Sequence, residues 1–313
     1  MGTAPFAVPA LAALHEADYN IAAVVTQPDR ARGRGGKVLP TPVGAFAEEM
    51  GLTLLKPESL APGGDFLSFI TEVAPDLIVV AAYGKLLPKA LLELPPLGCV
   101  NIHASLLPEY RGAAPIQRAV LDGNAVTGVT LMYMAEGLDT GDMIAAAKID
   151  AAEMSAGELT EELAKLGAAL LIETLPMVAQ GTAPRVIQDE TKATYAGKIE
   201  KAEGRIDLGR SAEEAVRRVR AMTPAPGAYV LKDGERMGVV KARALRPEEC
   251  DRPEWAYGAA PPGKTLAVSN RGIYVRTGDG VLLIEELKMP GKKAMPAVEY
   301  LKGNAFDTNT LLE

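Results

Sequence analysis

Apolar positions along this chain keep two rhythms, one over roughly the first two thirds and another over the last. In the first part, short unbroken apolar runs alternate with stretches of helical spacing. The runs are Ile21 to Thr26, Leu52 to Leu55, Leu77 to Ala82, Gly98 to Val100, Val129 to Met134 and Met143 to Ile149. Runs of this kind suit strands buried on both faces, as in parallel sheets covered by helices. Between them, Pro9 to Ala17, Pro42 to Met50, Gly63 to Val73, Ala90 to Leu94 and Pro115 to Leu121 repeat their apolar residues at helical intervals, as does a long stretch from Ser155 or Gly157 to about Gln180. The alternation predicts an α/β domain with a mostly parallel sheet. Residues 182–201 lack periodicity and read as a linker. The spacing then predicts a helix from Ser211 to Met222, with Ser211 as N-cap and Glu213 and Glu214 in the first turn. Pro224, Pro226 and Gly227 break the chain. Short runs follow at Ala228–Leu231, Met237–Ala244, Thr265–Ser269, Gly272–Arg276 and Val281–Leu287, which predict a small β-barrel. The expected domains are thus 1–181 and 202–313, joined by 182–201.

Composition narrows this picture. A length of 313 residues suits two domains, and a hydrophobic fraction of 48% supplies packed cores. No apolar run reaches the length of a membrane span, and no basic segment precedes an apolar one at the start, as a secretory signal requires. The two cysteines, Cys99 and Cys250, are far apart and outside any CxxC pattern. The expectation is a reduced, cytoplasmic protein with no metal, no membrane partner and a monomeric state. The net charge of −7 argues against a nucleic-acid partner, but its distribution argues the other way. Residues 201–313 carry 19 Lys and Arg against 16 Asp and Glu, while the first 200 carry 14 against 24. A local basic surface and two ordinary solvated halves account equally well for that asymmetry.

Candidate chemistry concentrates between Cys99 and Asp142. The strand read at Gly98 to Val100 delivers Asn101 and His103 two residues apart, so both side chains leave one face. The chain holds two histidines. His15, in LAALHEAD, reads as a helix-end surface residue. His103 lies where a strand meets a loop, the place where ligands bind in α/β sheets. A second apolar run leads to Leu138-Asp139-Thr140-Gly141-Asp142, which returns a carboxylate to the same region, with Asp139 and Asp142 as rivals. Asparagine, histidine and aspartate together polarise a carbonyl, move a proton and orient an imidazole. Gln27 to Lys37 holds four cations, one anion and three glycines with no apolar anchor. That composition favours a flexible solvated loop, although such loops also suit phosphate backbones. Arg210, Arg217 and Arg220 either complement a helix end or meet phosphates.

NIHASLLPEYRGAAPIQ followed by GLDTGDMI resembles the formyltransferase family that uses 10-formyltetrahydrofolate. With TQPDRARGRGGK upstream and GKKAMPA downstream, the likeness extends over nearly the whole chain and is strongest to the branch that acts on charged tRNA. The segment from Gln188-Asp189-Glu190 to Tyr195-Ala196 also resembles the family. The resemblance implies a Rossmann-like catalytic domain followed by an OB-like β-barrel. It implies transfer of a formyl group from 10-formyltetrahydrofolate, as co-substrate, to the α-amino group of methionyl initiator tRNA. Asn101, His103 and Asp139 would be catalytic, and Leu-Asp-x-Gly prefers Asp139 to Asp142. Ser105, Leu106, Leu107 and Pro108 would shape the wall beside the formyl group, while Lys85 and Leu87 in the turn Tyr83 to Pro88 would lie against the folate. Arg30, Arg32, Arg34 and Lys37, with Arg34 foremost, would meet tRNA, joined by Lys292 and Lys293. The catalytic residues leave the acceptor open between tRNA and a small amine such as glycinamide ribonucleotide or an amino sugar. In the family, the loop matched by Gly2 to Pro9 follows a first strand, so the expectation is a chain that starts at an internal methionine and lacks that strand.

Overall fold

The computed structural model of this chain describes residues 1–32, 36–250, 252, 255, 258–304, 306–308 and 310–313. Its contacts divide it into two units. The first holds Met1–Pro115, Val126–Asp150 and Leu159–Gly197, and the second holds Ile116–Ala125, Ala151–Glu158 and Lys198–Glu313. Residues 182–197, read as linker, fold with the first unit, because they carry a strand and side-chain bonds described below.

In the first unit, β1 (Val24–Val25) pairs in parallel with β4 (Leu54–Leu55), and β5 (Ile78–Ala81) pairs in parallel with β6 (Cys99–His103). Met1 and Gly2 run between the two pairs. The Gly2 amide donates to the Val25 carbonyl at 2.9 Å, and the Ala81 amide donates to the Met1 carbonyl at 3.0 Å. Gly2 forms a parallel bridge with Ala81, after which Pro5–Ala7 turn as a 3₁₀ helix. The strand position between β1 and β5 thus holds these two residues. A cavity of about 730 Å³ is lined by Ile21, Val24, Ile78, Val79 and Phe66 among others. The predicted strand from Ile21 is realised only at Val24–Val25. Beyond β6 the sheet turns antiparallel, through β8 (Val126–Tyr133) and β9 (Met143–Asp150).

The helices follow the apolar spacing closely. They are α1 (Val8–Glu16), α2 (Pro42–Glu49), α3 (Asp65–Val73), α4 (Lys89–Leu92), α5 (Pro115–Asp122) and α6 (Ala156–Ala179). Thr41 caps α2, its hydroxyl accepting from the Gly44 amide at 3.0 Å. Gly167 lets α6 lie close on the sheet, since a Cβ there would stand 2.7 Å from Ile102 Cγ2. The basic segment is more ordered than its composition suggested. Arg30–Arg32 (β2) and Lys37–Leu39 (β3) pair as an antiparallel hairpin that sets Arg32 opposite Lys37. Backbone pairing fixes these residues without an apolar anchor. Arg34 lies outside the described residues.

In the second unit, α7 (Ala212–Met222) starts at Ser211, whose hydroxyl accepts from the Glu214 amide while the Glu214 carboxylate accepts from the Ser211 amide. Ser211 is the N-cap its sequence predicted, and the return bond to Glu214 completes a capping box. Ala212, Ala215, Val219 and Met222 bury one helical face against β11 (Ala228–Lys232), β12 (Glu235–Leu245), β14 (Gly272–Arg276) and β15 (Val281–Lys288). With β13 (Thr265–Ser269), these strands form an antiparallel sheet in the order β11-β12-β15-β14-β13. A register shift near Lys241 adds curvature. Leu312 bridges Lys232 of β11 and Leu311 bridges Lys264 beside β13, so the last residues join the two edges of the sheet.

Candidate active site

Strand β6 brings Asn101 and His103 to one face, as their spacing required. Its register sets Asn101 beside Met132 and His103 beside Thr130 of β8. Asn101 is half-buried, and among the described residues its carboxamide makes no hydrogen bond, which leaves it free for a ligand. His103 is 6% exposed. Its Nε2 lies 3.0 Å from the Tyr110 carbonyl, an acceptor only, so that nitrogen carries a proton in this arrangement. Its Nδ1 lies 3.6 Å from Asp139 Oδ2. The Asp139 Oδ2 also accepts from the Gly112 amide at 2.8 Å. Asp142, the rival carboxylate, pairs instead with Arg185 at 3.8 Å.

Two turns hold these groups in strained backbone. Asp139 has φ +52° and Tyr110 has φ +58°, both in the left-handed region that non-glycine residues avoid. The turn carrying Asp139 closes on Tyr133, where a Cβ on Gly141 would meet the Tyr133 carbonyl oxygen at 1.8 Å. Tyr110 is held by its amide, which donates to Thr194 Oγ1 at 2.8 Å.

The residues expected against the folate divide by exposure. Ser105 is fully buried, and its hydroxyl donates to the Glu109 carbonyl at 2.6 Å. Leu107 and Leu87 are buried, while Leu106 and Pro108 are half-buried. Thr130 fixes this wall: its hydroxyl donates to the Ser105 carbonyl at 2.7 Å and accepts from the Leu107 amide at 3.1 Å. Lys85 Nζ donates to the Glu58 carbonyl at 2.9 Å, so its charge is anchored on backbone. Leu86, beside it, is 76% exposed. Arg30 is exposed on the hairpin, and Lys292 and Lys293 are exposed in a turn. Arg210 meets Glu214 and Asp207, Arg217 donates to the Leu121 carbonyl, and Arg220 donates to the Ala152 carbonyl. These three therefore have partners within the second unit.

Sequence reasoning passed over Arg111. It is 1% exposed, on the two-residue strand β7 (Arg111–Gly112), which pairs in parallel with β10 (Tyr195–Ala196). Its guanidinium donates to Gln188 Oε1 and to both carboxylate oxygens of Glu190. The Arg111 guanidinium holds the Glu190 carboxyl below the usual carboxylate range, chiefly by hydrogen bonding. Burial pushes the Cys99 thiol up to about 12 and the Tyr83 phenol up to about 12. Among the described residues, no group of three or more His, Cys, Asp or Glu is arranged to hold a metal ion. No described helix is long and apolar enough to cross a membrane.

The formyl transferase model matches residues 1–175, and the model of the formyl transferase C-terminal domain matches residues 198–305. A methionyl-tRNA formyltransferase of Moorella thermoacetica is 45% identical over 304 residues, covering 97% of this chain and 94% of that protein. One from Clostridioides difficile is 43% identical over 313 residues, covering 100% of this chain and 98% of that protein. Among solved structures, an N-formyltransferase from Helicobacter canadensis in complex with folinic acid and dTDP-3-aminofucose superposes with a TM-score of 0.64 at 16% identity, covering 90% of this chain and 96% of that one. HypX from Aquifex aeolicus in complex with tetrahydrofolic acid gives a TM-score of 0.59 at 20% identity over 81% of this chain and 43% of that one. At such identities these two structures speak to the fold.

Proposed function

The chain belongs to the formyl transferase family, and on that premise we propose that Asn101, His103 and Asp139 carry the transfer of a formyl group to an amine. Its function is that named for relatives alike over their full length, the formylation of methionyl initiator tRNA for translation initiation. 10-Formyltetrahydrofolate supplies the formyl group as co-substrate.

The observation that carries the assignment is the meeting of Asp139 with His103, 3.6 Å apart, on the strand that also presents the unbonded Asn101 carboxamide. As the α-amino nitrogen bonds to the formyl carbon, negative charge gathers on the formyl oxygen. The Asn101 amide donates to that oxygen, a contribution worth on the order of 100-fold or more in rate. The attacking amine must lose a proton, and the departing folate nitrogen must gain one as its bond to the formyl carbon breaks. His103 moves that proton, with Asp139 fixing its ring and taking part directly or through a water.

Leu106, Pro108 and Leu87 form the apolar wall for the folate, and the backbone of the turn Tyr83 to Pro88 supplies its polar contacts. The fit is supported by the half-burial of Leu106 and Pro108 at the end of β6. Ser105 and Leu107 are placed in the support of this wall, and Lys85 in the anchoring of the turn. We assign a tRNA-binding surface to Arg30, Arg32 and Lys37 on the hairpin, together with Arg34 from the same basic segment of the sequence, and to Lys292 and Lys293 in the second unit. The antiparallel sheet of that unit, whose edges meet through Leu311 and Leu312, supports the OB-like barrel reading.

The test offers charged initiator methionyl-tRNA and, separately, glycinamide ribonucleotide to the protein and to His103→Ala, with 10-formyltetrahydrofolate as donor. Formyl-methionyl-tRNA from the protein and a loss of 100-fold or more in the variant is the expected result. A folded protein that formylates only the small amine would overturn the acceptor assignment.

A further inference from the structure

The buried Arg111 has no place in the chemistry just described, yet its bonds lead to the carboxylate that does. Its Nε and Nη2 donate to Gln188 Oε1 at 3.0 and 2.8 Å. Its Nη1 and Nη2 donate to Glu190 Oε2 and Oε1 at 2.9 and 2.8 Å. Four donations over one planar fork leave the guanidinium a single orientation. They also settle which way the Gln188 amide faces, because its NH₂ group cannot point at a cation. That NH₂ group is turned to the other side. It donates to the Asp139 carbonyl at 2.8 Å and to the Gly141 carbonyl at 2.7 Å.

The next residue on the chain completes the arrangement. The Gly112 amide donates to Asp139 Oδ2, the atom that faces His103. One two-residue strand therefore holds Asp139 twice. Through Gln188, the Arg111 side chain grips the backbone of the turn, and the Gly112 amide grips the carboxylate. Asp139 needs such a hold, because its φ of +52° persists only where the surroundings impose it.

We propose that Arg111 and Gln188 are positioning residues that set the Asp139 carboxylate against His103, with Glu190 neutralising the buried charge. The proposal rests on the reading of Asp139 as the carboxylate of the reaction. Neither side chain touches the reacting atoms; both act through the turn.

Gln188→Glu tests this. Glutamate keeps an acceptor for Arg111 and so preserves the buried contact, but it presents oxygen to the carbonyls of Asp139 and Gly141 in place of two donors. The expected result is a kcat lowered by about 10- to 100-fold, the range seen when supporting partners of site residues are removed. KM for both substrates should stay within about threefold, because the binding surfaces are untouched. In an Asp139→Asn background the same change should alter kcat by less than about twofold, since residues acting as one unit are not additive. Arg111→Lys is the second variant. It keeps the charge beside Glu190 but loses the fork on Gln188, and it should give a smaller kcat loss in the same direction. An unchanged kcat in whichever variant folds, or a full kcat loss persisting in the Asp139→Asn background, overturns the proposal. If Asp139→Asn itself leaves kcat unchanged, the reading of the carboxylate fails first, and the positioning role falls with it.

Discussion

The carboxylate of Asp139 reaches His103 from the turn that joins β8 to β9 and stops 3.6 Å from its Nδ1. On its other side the ring is held by the Tyr110 carbonyl at 3.0 Å. The imidazole is thus fixed between a strained backbone carbonyl and a carboxylate in a strained turn, and Asn101 stands free beside it. The consequences are measurable.

The side chains around His103 can be changed one at a time. Asn101→Ala should lower kcat on the order of 100-fold while KM changes little, since an oxyanion donor acts in the transition state. Asp139→Asn keeps the shape of the side chain and should lower kcat as well. Asp142→Asn, whose carboxylate faces Arg185, should leave kcat within a few fold. Steady-state kinetics with charged initiator tRNA decides between the two carboxylates.

The turn itself depends on Gly141. Alanine there would place its Cβ 1.8 Å from the Tyr133 carbonyl oxygen, a backbone atom. Overpacking of this kind costs about 1–3 kcal/mol, so Gly141→Ala should melt several degrees lower and lose activity with it. Thermal unfolding followed by circular dichroism checks this, and a variant of unchanged melting temperature would contradict the close approach.

Tyr83 makes the opposite case. It is 2% exposed, and among the described residues its hydroxyl finds no partner. An unsatisfied buried hydroxyl costs about 1–3 kcal/mol. Tyr83→Phe should therefore leave the melting temperature unchanged or raise it. A marked loss of stability would show that the hydroxyl is bonded.

The Glu190 carboxyl titrates below its ordinary value of 4.5 because Arg111 bonds the charged form. A depressed carboxyl contributes stability above the unfolded value, and that contribution is lost as pH falls through the folded value. The difference in melting temperature between the protein and Glu190→Gln should be present at pH 7, shrink as pH falls below the ordinary value of 4.5, and vanish once pH has passed below the depressed folded value. A difference that persists there would place the effect outside titration.

Hairpin cations should act through ionic strength. Arg30→Ala should weaken tRNA binding and reduce the slope of log affinity against log salt by about one, with kcat at saturating tRNA unchanged. Binding measured across a salt series reads this out. An unaltered slope would remove Arg30 from the tRNA surface.

Much of the chain is decided locally. Ser211 and Glu214 cap their own helix from three residues apart, and Asn101 and His103 share a face because strand side chains alternate. The apolar runs fixed β5, β6, β8 and β9 to within a few residues, since burial demands apolar surface wherever the strand lies. The turn to antiparallel pairing after β6 was not readable, because both directions accept the same buried runs. Nor was the hairpin of the basic segment, whose strands are held by backbone bonds between Arg30–Arg32 and Lys37–Leu39 rather than by an apolar pattern.

The sequence by itself determined the elements, the caps and the presence of an asparagine, a histidine and a carboxylate at neighbouring strand ends. The resemblance already preferred Asp139 to Asp142, but only the tertiary structure set the Asp139 carboxylate 3.6 Å from His103 and buried Arg111 and Gln188 behind the turn, with the exposed Glu190 as countercharge. The physical reason is distance along the chain. Periodicity and capping act over a few residues, whereas a buried cation is tolerated only where remote groups supply its countercharge and hydrogen bonds. Those groups come from a segment with no periodicity of its own, and they meet Arg111 only once the chain has folded.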